Sequence, residues 1–453
     1  MAKTKSAEVE GKGWFNNSIG GGFFPCRETL GPISLMVLTP LFSIFIVYVI
    51  REKGGSITAA FSGDRPGAAF LEWWPNPLDP EAIAILATFM GMALFLTRIL
   101  PHEMFYGAVT PAGARPPYQA NGPLFYVVAT ALFFAGSDYG LGLYNGGVLY
   151  DKYPEIIASL NVFAFLLCGI LYVKGLVAPS TPDSGRASNF FFDFYYGTEL
   201  HPNVLGFDVK QFTNCRFGMM WWALANVSFA LKAIEMSKGG LPLAAMISAA
   251  AQWVYLLKFF LWETGYFNTM DIQVDRAGFY ICWGCLVWVP AVYTSPCHFF
   301  AARYDVAKNL SPATAAFILF CACLMIWMNY DCDKQKQDFR KSGGKNNVWG
   351  QPPKFIRATY QTEKGEKRTS LLLCSGWWGI ARHFHYVPEI LASFFWVPPV
   401  QVSFFIPWFY VIFLTILLFD RAFRDELRCQ GKYGKFYEDY CKLVPFRVIP
   451  LLF

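Results

Sequence analysis

Apolar runs recur along the whole chain, at roughly 33–50, 82–98, 122–137, 156–177, 217–234, 240–262, 278–294, 312–329, 388–399 and 402–419. Most approach the ~20 residues that a helix needs to cross ~30 Å of hydrocarbon, so the pattern predicts an all-α, polytopic membrane protein with about ten transmembrane helices. Pro398 and Pro399 interrupt the last two runs, which keeps a hairpin open as an alternative to two full spans.

Between these runs lie three large polar segments, 178–216, 330–387 and 420–453, and a short one at 263–277. With ten spans and a cytoplasmic N-terminus, all four fall on the cytoplasmic side. About 29 of the 38 Lys and Arg residues then lie on that side and about 8 on the other, as the positive-inside rule requires. The net charge of +6 is accordingly a mark of topology, and no nucleic-acid partner is read from it. Composition agrees, with 55% hydrophobic residues against 15% charged. The first 32 residues carry Lys3, Lys5, Glu8, Glu10 and Lys12 and no apolar core, so the first span is expected to act as its own insertion signal.

Twelve cysteines lie mainly in or beside the apolar runs, which argues against an extracellular disulfide framework. Cys282 and Cys285 have metal or redox spacing, but within an apolar run they read as small packing residues. The glycines of 140–147 lack the flanking strand and helix of a dinucleotide fold.

Four places carry candidate chemistry. After the eighth run, Lys336 and Arg340 share a face if the segment is helical, and two cations there suit a phosphate. In the tail, Arg421 and Asp425 stand one turn apart and are followed by Arg428, Cys429, Lys432, Tyr433 and Tyr440. A charged exposed helix would read much the same. The segment Leu371–Ile390, "LLLCSGWWGIARHFHYVPEI", holds Trp377, Trp378, Arg382, His383, His385 and Tyr386. Its two histidines lack a third metal ligand, so stacking and hydrogen bonding to a flat polar cofactor is favoured over metal binding. Inside the sixth run, Tyr255 and Lys258 interrupt an apolar stretch that ends at Glu263, and polar groups at membrane depth are functional candidates.

The segments 370–390 and 193–210, "DFYYGTELHPNVLGFDVK", resemble the two signatures of the integral-membrane sterol reductases, a family that includes the lamin B receptor. The segments 207–220 and 268–296 resemble its Δ7 branch, the 7-dehydrocholesterol reductases, and the plant and algal type in particular. The chain departs from the common pattern at Asn203, where an arginine is usual, and at His385-Tyr386-Val387-Pro388-Glu389, where Asn-Tyr-x-Gly-Asp is common. The resemblance implies an NADPH pocket at Lys336, Arg340, Leu373, Trp378, His385, Tyr386, Arg421, Asp425, Cys429, Gln430, Gly431, Lys432, Tyr433 and Tyr440. It implies Tyr255 as proton donor and Asp425 as the second catalytic residue. The division expected is a cytoplasmic segment 1–32, eight spans with the sterol cavity over 33–329, and an NADPH-binding region over 330–453. The implied setting is the endoplasmic reticulum membrane, among other sterol-biosynthesis enzymes.

The reaction implied is NADPH-dependent reduction of the C7–C8 double bond of a 5,7-diene sterol. An unactivated alkene does not accept hydride unaided, so protonation precedes or accompanies it, and a phenol of pKa ~10 needs help as the acid. Glu263 or Asp271 is the expected holder of the sterol hydroxyl. The alternatives are C-14 reduction, an isoprenylcysteine-type methyltransferase, suggested by the tail, and a non-catalytic sterol-binding protein. With roughly 30 residues before the first span, the chromatin-binding domain of a lamin B receptor is not expected.

Overall fold

The computed structural model describes residues 28–452 apart from 111, 239, 308, 362–366 and 398–403. Pro398 and Pro399, and the charges of the first 12 residues, lie outside the described residues.

Among the described residues eight helices are long and apolar enough to cross a membrane: Leu30–Glu52, Pro80–Ile99, Tyr153–Val177, Gln211–Met236, Leu243–Leu261, Phe279–Ala302, Pro312–Lys341 and Phe405–Tyr433. Two shorter apolar helices, Gly122–Gly136 and Tyr386–Phe395, take up the third and ninth predicted runs. At 1.5 Å per residue the second of these rises only about 15 Å, half of a bilayer core. The expectation of about ten apolar helices thus resolves into eight of spanning length and two that fall short of it. The protein is predominantly helical, and among the described residues the strands form three two-stranded antiparallel sheets within the connecting segments.

The chain divides into two compact units. The larger comprises Glu28–Asp331 and Pro388–Thr415. At its centre runs Phe279–Ala302, 83% of whose apolar window is buried, with Leu30–Glu52 and Tyr153–Val177 packed against it. Asn161 pins the three together, its amide donating to Ser43 Oγ (3.0 Å) and its carbonyl accepting from Trp283 Nε1 (3.1 Å). Between apolar helices in lipid such polar contacts give specificity that oil-like packing cannot. Residues 211–218 and 279–293 are wound as π-helix, whose wide turns are rare and need side-chain support. Here Asn214 Nδ2 donates to Cys285 Sγ across the two segments (3.2 Å).

The smaller unit comprises Cys332–Val387 and Ile416–Phe453. Its scaffold is the hairpin Phe355–Gln361 with Lys367–Leu373, in the register Phe355 opposite Leu373. Ala358 and Leu372 of the hairpin pack on Tyr437, Tyr440 and Val444, around the C-terminal helix Lys435–Leu443. A second cluster joins Leu373 to Phe339, Val348 and Trp378.

Candidate active site

In the smaller unit the chain after the hairpin turns through Gly376, which has φ +65°. A Cβ there would lie 2.2 Å from Gln335 Oε1, the atom that accepts the Trp377 N–H at 2.9 Å. Glycine is therefore required both for the backbone conformation and for the close approach. The turn sets the Trp378 indole, which donates to Cys332 O (2.8 Å). Lys336 Nζ sits 3.6 Å above the Trp378 ring. His385 packs against both Trp378 and Tyr386, with centroids at 4.9 and 4.2 Å, and His383 stacks on Tyr386. Lys336, Trp378, His385 and Tyr386, predicted from separate stretches, thus form one cluster.

His383 is buried, and its Nε2 has no hydrogen-bond partner. Burial pushes its pKa down to about 4, against the pull of the Asp425 and Glu426 carboxylates. The imidazole is neutral at pH 7.

Asp425, on the helix Phe405–Tyr433, accepts two hydrogen bonds from Arg428, the shorter at 2.5 Å. The i, i+4 spacing points to Arg421 as its partner; the structure gives it Arg428, three residues on. Cys429 and Tyr433 pack against the hairpin and Tyr440. Lys432 Nζ lies over the Tyr360 ring at 4.3 Å. Arg340, Gln430 and Gly431 are exposed.

Sequence reasoning missed the clamp beneath this cluster. Arg382 donates from Nε and Nη2 to Glu426 Oε1 (2.9 and 2.6 Å) and from Nη1 to the carbonyls of Val444 and Pro445. Arg447 donates to Glu426 Oε2 (2.7 Å). The clamp ties Glu426, the residue next to Asp425, to the 370–390 segment and to the C-terminal segment. A half-buried carboxylate shared by two arginines is its signal, though the distances in sequence conceal it.

In the larger unit, the Tyr255 hydroxyl donates to Glu389 Oε1 at 2.5 Å. Trp222 and Trp396 flank the Tyr255 ring, each with centroid at 5.6 Å. Tyr293 and Tyr410 extend this wall, both in contact with Trp222. Trp222 is fixed by its N–H donating to Gln252 Oε1 (2.8 Å), an acceptor shared with Asn226. Lys258 donates to Asn329 and lies 5.6 Å over the Tyr255 ring. Gln252, Asn226 and Glu389 were legible as polar residues on apolar helices, the same signal that marked Tyr255.

Glu263 is engaged elsewhere. Its carboxylate forms a buried ion pair with Arg216 and accepts the Gly122 N–H at 2.8 Å. A hydroxyl placed there would have to break that pair. Asp271 lies in the short helix Met270–Gln273, whose end is capped by Lys210 Nζ on the carbonyls of Asp271, Ile272 and Asp275. A cavity of about 420 Å³ in this unit is lined by Arg98, His102, Asp208 and Arg216 together with apolar residues such as Met104 and Phe212, and by none of the residues expected to hold the cofactor.

The sequence profile of the ergosterol biosynthesis ERG4/ERG24 family matches residues 66–453. The chain belongs to that sterol reductase family. It is 46% identical to a 7-dehydrocholesterol reductase of Arabidopsis thaliana, over 92% of this chain and 96% of the relative. It is 31% identical to a Delta(14)-sterol reductase of Methylotuvimicrobium alcaliphilum, over 93% and 94%. A 7-dehydrocholesterol reductase of Xenopus laevis is 30% identical, over 93% and 91%. In this family member Trp378, His383, His385 and Tyr386 of the 370–390 segment form one cluster of rings, and Glu389 of the same segment accepts the hydrogen bond of Tyr255.

Proposed function

We propose that the protein reduces the C7–C8 double bond of 5,7-diene sterols with NADPH, in the endoplasmic reticulum membrane. The observation that carries this reading is the Tyr255 phenol, hydrogen-bonded to Glu389 and walled by Trp222 and Trp396. A phenol held among aromatic faces provides a proton donor and a surface that stabilises the cation left on the alkene, by up to ~2 kcal/mol in a dry site. The 46% identity to a plant 7-dehydrocholesterol reductase, against 31% to a Delta(14)-sterol reductase, supports the Δ7 bond as the target.

The smaller unit has the chemistry that NADPH needs. Lys336, Lys432 and Arg340 are cations suited to its phosphates, and the rings of Trp378, Tyr386 and Tyr360 are flat faces for its bases. His383 Nε2 is a buried polar atom without a partner. Leu373, His385, Arg421, Asp425, Cys429, Gln430, Gly431, Tyr433 and Tyr440 complete the assignment. Asp425, held by Arg428, acts as an orienting carboxylate. When bound, the cofactor supplies hydride; the chain's own residues supply the proton, exclude water and fix orientation. Glu263 or Asp271 remains the candidate for the sterol hydroxyl, and Glu263 would first have to give up its pair with Arg216.

The deciding experiment incubates purified protein and NADPH with Δ7, Δ14 and Δ24(28) sterols. Loss of the 5,7-diene absorbance with the Δ7 substrate is expected, and reduction of the Δ14 substrate alone would overturn the branch. Tyr255→Phe should bind both ligands and lose turnover by roughly 100-fold, the usual scale of general-acid catalysis. A variant that keeps most of its turnover removes Tyr255 from the role.

A further inference from the structure

Tyr255 alone is a poor acid for an alkene. An unperturbed phenol has a pKa near 10 and an unperturbed glutamic acid one near 4.3, so losing the proton as carboxylate rather than as phenolate is easier by roughly six powers of ten. The structure puts a carboxyl group in contact with the phenol. Glu389 stands 134 positions along the chain from Tyr255 and within 2.5 Å of its hydroxyl.

We infer that Tyr255 and Glu389 form a two-residue proton relay, in which Glu389 is the acid and Tyr255 the group that delivers its proton to the sterol carbon. The inference rests on the proposed sterol reduction. In the resting pair Tyr255 donates to the Glu389 carboxylate. A further proton, on Glu389, reverses the hydrogen bond, so that Glu389 donates to Tyr255 Oη and the phenolic hydrogen is free to face the alkene.

As the alkene reacts, its π pair forms a C–H bond with the Tyr255 proton. The Glu389 proton moves to the phenolic oxygen in the same step, and the second carbon becomes cationic; NADPH, when bound, would supply the hydride that quenches it. The balance is alkene, proton and NADPH giving the saturated bond and NADP⁺, with Tyr255 restored as phenol and Glu389 left as carboxylate. Reprotonation of Glu389, which is only partly buried, completes the cycle.

The neighbours leave the relay intact. Lys258, the cation nearest the ring, is occupied by Asn329. Tyr293 and Tyr410, the other titratable groups facing the pair, are phenols. Trp222 and Trp396, both 1% exposed, close the sides against water. No unpaired charge therefore competes with Glu389 for the Tyr255 proton among these side chains.

The test compares wild type, Glu389→Gln and Glu389→Asp in the full chain. Glutamine keeps a hydrogen-bonding group beside Tyr255 and cannot supply a proton. Its kcat should fall about 100-fold while the Michaelis constants for sterol and NADPH stay within about threefold, and its solvent deuterium isotope effect on kcat should rise. Glu389→Asp should recover at least a tenth of wild-type kcat. Retention of more than a third of kcat by Glu389→Gln overturns the relay.

A second measurement needs no turnover. In infrared difference spectra of a pH titration, wild type should show a protonated-carboxyl band that is missing from Glu389→Gln and shifted in Tyr255→Phe. A band unchanged in both variants overturns the relay. Wild type with that band but without sterol reduction would instead overturn the proposed function.

Discussion

The segments 193–210 and 370–390 look alike as text, each mixing acids, histidine, aromatic residues and glycine. Their side chains end in different places. In the first, Asp193 accepts the N–H groups of Ala187 and Ser188, and Glu199 accepts that of Ser180 and the ammonium of Lys174. Tyr196 donates to Val274 O, and Lys210 caps a helix end. Gly197, at φ +106°, lets the backbone pass Ala277 and Gly278 where a Cβ would come within 2.7 Å. In the second, the polar and aromatic side chains mostly meet one another: Lys336 on Trp378, His383 on Tyr386, His385 between Trp378 and Tyr386. Side chains that satisfy buried backbone hold a fold, whereas side chains clustered on each other leave faces for a ligand.

The largest effect expected from this contrast is on stability. Glu199→Ala removes a buried carboxylate from Lys174 and from the Ser180 N–H. Removing one partner of a buried pair costs about 3 to 5 kcal/mol, and the partial exposure of Lys174 puts this case at the lower end. Size-exclusion and thermal-melting profiles in detergent should show loss of folded protein, with affinity for every ligand falling together. An unaltered melting curve would mean that the first segment does not serve the fold as described.

The second effect is a pH dependence carried by His383 of the second segment. His383 takes a proton in the folded protein only near pH 4, whereas the unfolded chain takes it from about 6.5. Between those values the unfolded state binds more protons, so stability rises with pH there: it is complete above about 6.5 and falls as the pH drops towards 4. The range is at most about 3 kcal/mol. Melting temperatures of wild type and His383→Gln, measured from pH 7 to 4, should diverge, with wild type losing more. Parallel curves would show that His383 is not held neutral by burial.

How much of this was legible in the sequence follows from the range of each interaction. The apolar runs fixed the helices because run length and bilayer thickness are both local quantities. The hairpin 355–373 escaped the all-α reading: it lies inside a long polar segment, where span-finding by hydropathy has nothing to register. The π-helical winding of 279–293 leaves no periodic mark in an all-apolar stretch. Lys336, Trp378 and Tyr386 could be singled out one at a time, since each is an unusual residue in its surroundings. The partners of Tyr255, Glu263 and Arg382 were hidden, because pairings across 134, 47 and 44 residues are set by tertiary packing.

The smallest effect bears on the proposed NADPH site of the second segment's unit. Arg340 is exposed at the end of Pro312–Lys341, so a phosphate contact there is screened by water and salt and is worth far less than a buried one. Losing one charge-assisted hydrogen bond of that kind raises a Michaelis constant about tenfold, or ~1.4 kcal/mol. Arg340→Ala should therefore raise the NADPH constant about tenfold, leave the sterol constant unchanged, and leave the NADH constant nearly unchanged, because only NADPH carries the 2′-phosphate. Equal weakening for NADPH and NADH would shift Arg340 to the shared diphosphate. No change for either would take it out of the pocket and leave Lys336, which packs on the Trp378 ring, as the main phosphate-binding cation of that helix.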